Sequence, residues 1–549
     1  MPVLQINTNI RKENFTEKFN SNLVDVFAQT LNKPKEFCVL HVLADQLLTF
    51  AGTSEPCAYV ILMSIGQLGV EENKKHSKAI MDELEKIGIP PNRMYIVFND
   101  SHPSQSISSK LSNLPEWAQK EKVKIDVSKT KPEKFRVEFD EKEWNFLKQK
   151  LSLTRYFTPL KDVPKFDYGF DPEYAKELID YWNTKFDWKS QVDFLNKYPQ
   201  FRVNINDTIL HYVHYVTNPS AEKKVNLLLL DGWPGSFFGF YKMIDFIDQN
   251  YKDTSYNIIV PSIPGYGYSN PLNKKSSPLE ASLIFNSLME FLCGENVKYY
   301  VHGEDWGSII ATILTQLFPQ RISGIHITLP LVSETGLKNL ICLLFTPIFP
   351  SYFLTDKEMR LNYSVRYPLR NKIWTLWDEF GYFHLQSTRP DTIGHGLTDS
   401  PVGLMAFILE KYSFWSFNKK EQISGRKDGG LNNFDKNYLL TIITMYWMSN
   451  SITSSMRFYA NAIQMMLNFR NSNLDFLNLP TPKNVPVSVQ TYINEIFVIP
   501  KRVIETKYAN LVRYNIFENG GHFASFQNPE NTTKDFIEFI MQIELNVEV

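Results

Sequence analysis

The stretch VHGEDWGSII, residues 301–310, contains a Gly-x-acid-x-Gly turn, with Asp305 at the position where such turns usually carry a serine nucleophile. An aspartate is ionised at neutral pH and needs no base to activate it. It is a modest nucleophile, suited to a carbon that is strained or bears a good leaving group. Attack at a saturated carbon gives an ester through Asp305, and water cleaves an ester at its carbonyl. A serine attacking the same carbon would give an ether, which water does not cleave. The turn therefore predicts substitution at sp3 carbon followed by ester hydrolysis. That second step needs a base and an oxyanion hole. ENGGHFASF, 518–526, puts His522 on a glycine-rich loop, and Glu495 lies between Asp305 and His522 in sequence, able to orient the imidazole. DGWPGS, 231–236, supplies the Trp233 amide, which joins the Trp306 amide as a pair of oxyanion donors. Trp233-Pro234 is a candidate cis bond. Taken singly, a Gly-x-Asp-x-Gly turn, a histidine in a glycine loop and a lone glutamate are ordinary structural features. Their joint order is what points to chemistry.

These residues need strands to end at one edge of a sheet. KYYVH runs into Asp305 and SIIATILTQL follows as a helix, with Gly303 and Gly307 leaving room for the sharp turn. The helix N-terminus then faces the site and favours negative charge there. After residue 225 short apolar strands alternate with helices: NLLLL, YNIIVP, KYYVH, SGIHIT, VSVQTY and VRYNIF. That alternation predicts a mostly parallel sheet covered on both faces. Residues 335–470 interrupt it with helical text rich in Phe, Trp, Tyr and Met, which reads as a lid over the carboxyl edge. Residues 136–225 read as aromatic and helical. LICLLFTPIFPSYFL, 340–354, is shorter than a bilayer span and broken by Pro347 and Pro350. It reads as a buried or pocket-lining segment, with peripheral membrane contact as the alternative.

The chain has 549 residues, too many for one ordinary core, so two or more domains are expected. A net charge of −1 argues against nucleic acid or an anionic membrane as the main partner. Cys38, Cys57, Cys293 and Cys342 are widely spaced, which excludes a C-x-x-C zinc or redox centre and suits a reducing compartment. MPVLQINTNIRKENF lacks the pattern of a signal peptide. Residues 1–100 follow a β-α-β-β-α-β order. The serine- and lysine-rich text after residue 100 reads as a linker region.

EDWGSII, GWPGSFFGFYKMI, PSIPGYGYS, DSPVGLMAFILEKY and GGHFASF resemble the microsomal epoxide hydrolase family, including juvenile-hormone epoxide hydrolases. The likeness runs from about residue 136 to the C-terminus. The order nucleophile first, histidine last is that of α/β-hydrolases. The resemblance implies Asp305 as nucleophile, His522 as base and Glu495 as its acidic partner. It also implies that Tyr382, in EFGYFHLQ, and Tyr459, in SSMRFYAN, hydrogen-bond the epoxide oxygen. A phenol, with a pKa near 10, is protonated at neutral pH and can donate to the alkoxide that ring opening creates. One departure stands out: where the family usually has His-Gly-Trp-Pro, this chain has Asp231-Gly-Trp-Pro. A haloalkane dehalogenase is the enzymatic rival, sharing the aspartate turn; the tyrosine pair favours epoxides.

Pro2 directly follows Met1. Removal of Met before a small residue would leave a secondary amine, and an α-amine titrates at roughly 7.7–8.0, lower in an apolar pocket. On Pro2 alone an accident of the start is the simpler reading. NKPKEFCVLHVLADQLLTFAGTSEPCA, SIGQLG and NRMYIVF, however, resemble macrophage migration inhibitory factor and the tautomerase superfamily. The resemblance implies Pro2 as general base for keto–enol tautomerisation. It also implies Lys33 and Ile65 as pocket residues, Tyr95 supplied by a neighbouring subunit, and a homotrimer. Val97 stands where that family commonly has a pocket asparagine, and Cys57 lacks a second cysteine.

The fold expected is therefore α/β: an N-terminal tautomerase-like β-α-β domain (1–115), a linker (116–135), an epoxide hydrolase N-terminal region (136–225) and an α/β-hydrolase domain (226–549) with a helical lid at about 335–470. The function expected is cofactor-free hydrolysis of a small lipophilic epoxide to a diol, with a second, tautomerase site at Pro2 and no nucleic-acid partner. The alternative is a binding or signalling module with a cytokine-like N-terminal domain. No transmembrane segment is expected. The cytoplasm is the expected location, with peripheral contact at the endoplasmic reticulum or secretion without a signal peptide as alternatives.

Overall fold

In the computed structural model the chain divides into two compact units, Met1–Pro115 and Glu116–Val549. The structure describes residues 2–64, 70–100, 131–205, 208–272, 276–332, 337–368, 377–417, 426–470 and 475–545. Ile65, and residues 116–130 of the expected linker, lie outside the described residues.

The first unit is a four-stranded sheet in the order β2-β1-β3-β4, built from β1 (Val3–Thr8), β2 (Val39–Leu43), β3 (Ala58–Ser64) and β4 (Met94–Asp100). β1 pairs parallel with β2 and antiparallel with β3, and β3 pairs parallel with β4. The helices Glu17–Thr30 and Val70–Glu85 form the second layer. Thr16 caps the first by accepting from the Phe19 amide. The period-two pattern of the strands turns Leu4, Ile6, Val60 and Leu62 toward Leu23, Phe27, Ile80 and Leu84 of the helices, and all eight are fully buried. Among the described residues the opposite face of the sheet has no helix on it. There Tyr59 and Tyr95 stack, 38 % and 62 % exposed, with ring centroids 6.1 Å apart.

The second unit holds a nine-stranded sheet, β13-β12-β11-β10-β8-β9-β7-β6-β5. The members that position the site are β8 (Lys223–Leu230), β9 (Thr254–Pro261), β10 (Tyr299–Gly303), β11 (Ile322–Ile327), β12 (Val487–Asn494) and β13 (Leu511–Gly521), all parallel. Leu227, Leu228, Leu229 and Leu230 are all fully buried, as strands covered on both faces require. The region before residue 225 is less purely helical than its text suggests. Besides the helices Glu141–Ser152, Pro172–Thr184 and Trp188–Leu195, it contributes β5 (Glu133–Phe135), β6 (Gln200–Ile205) and β7 (Thr208–Val216), which join antiparallel. The alternation in FRVNI and the β-branched and aromatic residues of TILHYVHYV carry that signal.

Between β11 and β12 the described residues are mostly helical. The helices Gly381–Thr388, Pro390–Asp399, Pro401–Phe417, Lys436–Met448 and Ile452–Phe469 form the lid. The reading of 340–354 as buried needs correction. The helix Leu337–Phe345 and the turn after it bury Cys342, Leu343 and Leu354 against Val498, Val503 and Ile516. Leu340, Ile341, Leu344, Phe345, Ile348, Phe349 and Tyr352 stay exposed. The helix is apolar on more than one side, but only one side enters this cluster among the described residues, and the other faces outward. Among the described residues no helix is long and apolar enough to cross a membrane.

Candidate active site

Asp305 sits between β10 and the helix Trp306–Leu317, with φ 47° and ψ −122°. A non-glycine residue in that region carries about 1–3 kcal/mol of strain, held only because its surroundings over-determine it. The surroundings are tight. A Cβ on Gly307 would fall 2.0 Å from the Leu230 carbonyl oxygen, so glycine alone lets the new helix pass the end of β8. The Ser308 hydroxyl donates to the Gly303 carbonyl at 2.7 Å and accepts from the Leu329 amide at 3.2 Å, closing the turn.

The loop after β8 approaches from the side. The Trp233 amide donates to Asp305 Oδ1 at 2.8 Å. A Cβ on Gly232 would lie 1.9 Å from that oxygen and 2.6 Å from the Trp306 amide nitrogen. The two expected donors and one carboxylate oxygen thus share a single small space, as an oxyanion site requires. The Trp233-Pro234 peptide is cis.

His522 leaves the end of β13, and its backbone amide donates to the Trp415 carbonyl at 3.0 Å. The imidazole Nε2 lies 3.3 Å from Asp305 Oδ2, and Nδ1 lies 2.8 Å from Glu495 Oε1. Glu495 follows β12 directly and is buried; its Oε1 also accepts from the Ile496 amide at 2.9 Å. Burial disfavours a charged His522 and is the largest single effect on it. Glu495, and then Asp305, together outweigh that effect and hold its pKa well above the usual histidine value. An imidazole fixed at Nδ1 by a buried carboxylate presents Nε2 to whatever occupies Asp305.

Tyr382 and Tyr459 come from two lid helices, Gly381–Thr388 and Ile452–Phe469. Tyr382 stacks on Trp233 at 5.3 Å, and Tyr459 stands edge-on to Trp306 at 4.8 Å and to Tyr382 at 6.0 Å. Burial first, with the Asp305 charge contributing, pushes both hydroxyls well above the usual phenol range, so both keep their protons. Tyr459 Oη is buried with no hydrogen-bond partner among the described residues. A buried donor left unsatisfied is costly, which suits a hydroxyl awaiting an acceptor.

Asp231 holds the first turn of the Trp233 loop, accepting from the Gly232 amide at 2.7 Å. Burial, then the nearby Glu304 carboxylate, and less strongly Asp305, push its pKa well above the ordinary aspartate value.

Not all of the sequence-derived residues meet. Asp305, His522, Glu495, Trp233, Trp306, Tyr382 and Tyr459 converge in the second unit. Pro2, Lys33 and Tyr95 belong to the first. Pro2 is buried at the start of β1, where its carbonyl accepts from the Val39 amide at 3.0 Å. Lys33 is half-buried just after the first helix. Tyr95 pairs with Tyr59, which pairs with Asn7, five residues along β1 from Pro2. At about 3.4 Å per residue, that separates Tyr95 from Pro2 within one chain by roughly 17 Å along the strands. Three residues of the larger site were not assigned from the sequence. Arg366 binds the Ile493 carbonyl and donates to the Glu495 carbonyl at 3.4 Å. Trp415 meets the His522 ring edge-on at 4.9 Å. Glu304 immediately precedes Asp305. Only Glu304 had a local signal: an acid at the buried end of an apolar strand.

Residues 132–240 match the family model "Epoxide hydrolase N terminus", residues 225–349 "alpha/beta hydrolase fold", and residues 1–111 "Macrophage migration inhibitory factor (MIF)". Epoxide hydrolase 1 of Sus scrofa is 37 % identical over 423 residues, 75 % of this chain and 88 % of that protein. Juvenile hormone epoxide hydrolase 1 of Ctenocephalides felis is 34 % identical over 438 residues, 78 % of this chain and 89 % of that one. The crystal structure of juvenile hormone epoxide hydrolase from the silkworm Bombyx mori superposes with a TM-score of 0.69 at 33 % identity, covering 76 % of this chain and 95 % of that one.

Asp231 yields a test. The folded protein holds a proton that an unfolded aspartate releases near pH 4, so the stability it contributes is complete below that value and is lost as pH rises through the higher folded value. Asp231→Asn, neutral at every pH, should flatten the decline of Tm as pH rises above about 4, measured by calorimetry. An unchanged decline would mean that Asp231 is not held protonated by the fold.

Proposed function

The chain belongs to the epoxide hydrolase family, and from that premise we propose how its second unit converts a lipophilic epoxide to a diol. Epoxide hydrolysis is this chain's reaction; the assignment of roles is our reading. Tyr382 and Tyr459 donate to the epoxide oxygen while Asp305 Oδ2 attacks a ring carbon. One C–O bond forms, the ring C–O bond breaks, and a tyrosine proton neutralises the alkoxide. His522 Nε2 then takes a proton from a water that attacks the Asp305 carbonyl carbon. The oxyanion forms beside the Trp233 and Trp306 amides; its collapse breaks the ester bond as the His522 proton passes to the departing diol oxygen, and the remaining water proton, lost from Asp305, restores the tyrosine.

The observation that carries this reading is the bracketing of Asp305: an amide at 2.8 Å on one oxygen, an imidazole nitrogen at 3.3 Å from the other. The electrostatics supply the timing. In the resting site two carboxylates favour the imidazolium. Esterification removes the charge of Asp305, so the pKa of His522 falls when a base is needed. The many aromatic side chains of the lid favour a bulky apolar substrate.

For the first unit we propose a tautomerase site at a processed Pro2, with Lys33 beside it, completed by Tyr95 of a neighbouring copy in a homotrimer. Three features support this: the family match of residues 1–111, the helix-free sheet face carrying Tyr59 and Tyr95, and the separation of Tyr95 from Pro2 within one chain. For location we propose peripheral contact with an anionic bilayer through the exposed residues of 340–352. Lys338, Lys357, Arg360, Lys501 and Arg502 lie on the same and adjoining segments. Basic residues contribute about 1 kcal/mol each near an anionic surface.

Single turnover in heavy-oxygen water should give a first diol without label, its new oxygen coming from Asp305; label in that diol would sink the two-step scheme. His522→Gln should trap the ester and lower kcat by about 10²–10⁴-fold. In the native protein the ester should build up as pH falls, because its decay needs neutral His522. Pro2→Gly should abolish phenylpyruvate tautomerisation while light scattering reports a trimer; a monomer with full tautomerase activity would refute the shared pocket. Ile348→Asp combined with Phe349→Asp should end co-sedimentation with phosphatidylserine-containing vesicles and spare turnover of a water-soluble epoxide. Equal sedimentation would rule out contact through this surface.

A further inference from the structure

We propose that Glu304 is a positioning residue for ester hydrolysis: its carboxylate ties the turn that carries Asp305 to the helix that follows His522. Glu304 immediately precedes the nucleophile and is 3 % exposed. Its Oε1 accepts from the Ser525 backbone amide at 2.8 Å, and its Oε2 accepts from the Ser525 hydroxyl at 3.2 Å. Ser525 stands three residues after His522, in the short helix Ala524–Gln527. Two segments more than 200 residues apart in sequence are thus joined by one side chain directly beside the reacting pair.

The arm itself is held from behind. His302 Nε2 lies 3.0 Å from Glu304 Oε1, His302 Nδ1 lies 2.8 Å from His326 Nδ1, and His326 Nε2 lies 3.1 Å from Asp535 Oδ2. Arg513 Nε donates to Asp535 Oδ1 at 2.6 Å, and Asn515 also bonds that oxygen. His302 and His326 are fully buried and Asp535 nearly so. This line crosses β10, β11 and the helix Pro529–Glu544, and ends on β13, the strand that delivers His522. A buried polar line with its members paired is stiff, because any displacement strands a desolvated group.

The consequence is specific to one half-reaction. Attack on the epoxide uses the two lid tyrosines and Asp305, which the Trp233 amide already holds at 2.8 Å, and it does not need the position of His522. Ester decay depends on the spacing of His522 from Asp305, which Glu304 spans. What matters is reach, not charge. A glutamine in place of Glu304 would keep all three contacts: its carbonyl oxygen accepts from the Ser525 amide and from His302, and its amide donates to the Ser525 hydroxyl. An aspartate keeps the charge but is one methylene too short.

The proposal rests on the ester mechanism above, so the test measures the two steps separately in the full-length protein. Stopped-flow tryptophan fluorescence follows ester formation, and quenched-flow mass spectrometry follows its decay. Glu304→Asp and Glu304→Ala should slow decay by about 10²-fold, the scale of a small misplacement of a catalytic group, with formation nearly unchanged. Glu304→Gln should restore decay to within about threefold of the native rate. Should Glu304→Ala fail to fold, the Asp and Gln pair still decides. Parallel loss of both steps, equal damage from Asp and Gln, or no effect on decay would each overturn the role of Glu304. Absence of any ester in the native protein would overturn the mechanism instead.

Discussion

The close approach of two backbones at Asp305 is the constraint on which the larger site depends. The end of β8, the Trp233 loop and the N-terminus of the helix Trp306–Leu317 occupy a space that admits no extra methyl group at Gly232 or Gly307. That crowding holds Asp305 at a positive φ and lifts its side chain out of the turn. It also sets the Trp233 amide on one carboxylate oxygen, which leaves the other for His522. Once these are fixed, the rest of the geometry follows from where the neighbouring strands end. β12 delivers Glu495, β13 delivers His522, and the lid lowers two tyrosines onto the two tryptophans.

The same crowding concentrates acid. Asp231, Glu304 and Asp305 lie near one another, and Asp305 and Glu495 flank the His522 imidazole, in a region where burial opposes every charge. The conflict is resolved in different ways. Asp231 is driven toward its neutral form, and Glu304 is paid for by the Ser525 amide and a buried imidazole. Glu495 binds His522. In the proposed cycle Asp305 is the one carboxylate whose charge disappears and returns, and the affinity of His522 for a proton follows it. A site with fewer acids would hold a weaker base in the resting state.

The first unit illustrates an opposite economy. Its helices cover one face of the sheet, and the strand alternation that buries Leu4 and Ile6 necessarily turns Tyr59 and Tyr95 outward. A two-layer unit with stacked aromatics on its bare face has an unfilled demand for burial. The proposed trimer answers it. The exposed apolar side of the helix Leu337–Phe345 presents the same problem in the second unit, since its other side alone packs into the cluster with Val498, Val503 and Ile516 among the described residues.

Much of this was legible in the residues themselves. Every strand read after residue 225 is present, because parallel strands buried on both faces must be continuously apolar, and that pattern survives without knowledge of contacts. The aspartate turn, the histidine loop and the intervening glutamate were readable because each lies at the end of such a strand. β6 and β7 were not recognised, since their half-buried alternation is interleaved with histidine and tyrosine and sits among aromatic helices. The exposure of 340–352 was equally hidden: an apolar run records a preference for burial, not whether a neighbour exists to satisfy it. The roles around the site divide in the same way. The sequence by itself determined which residue types sit at strand ends, and so the chemistry available. Folding settled that Glu304 reaches Ser525, that burial raises the pKa of Asp231 and that the Tyr459 hydroxyl is buried beside Tyr382 and Trp306, because contacts between segments far apart in sequence leave no periodicity in the chain.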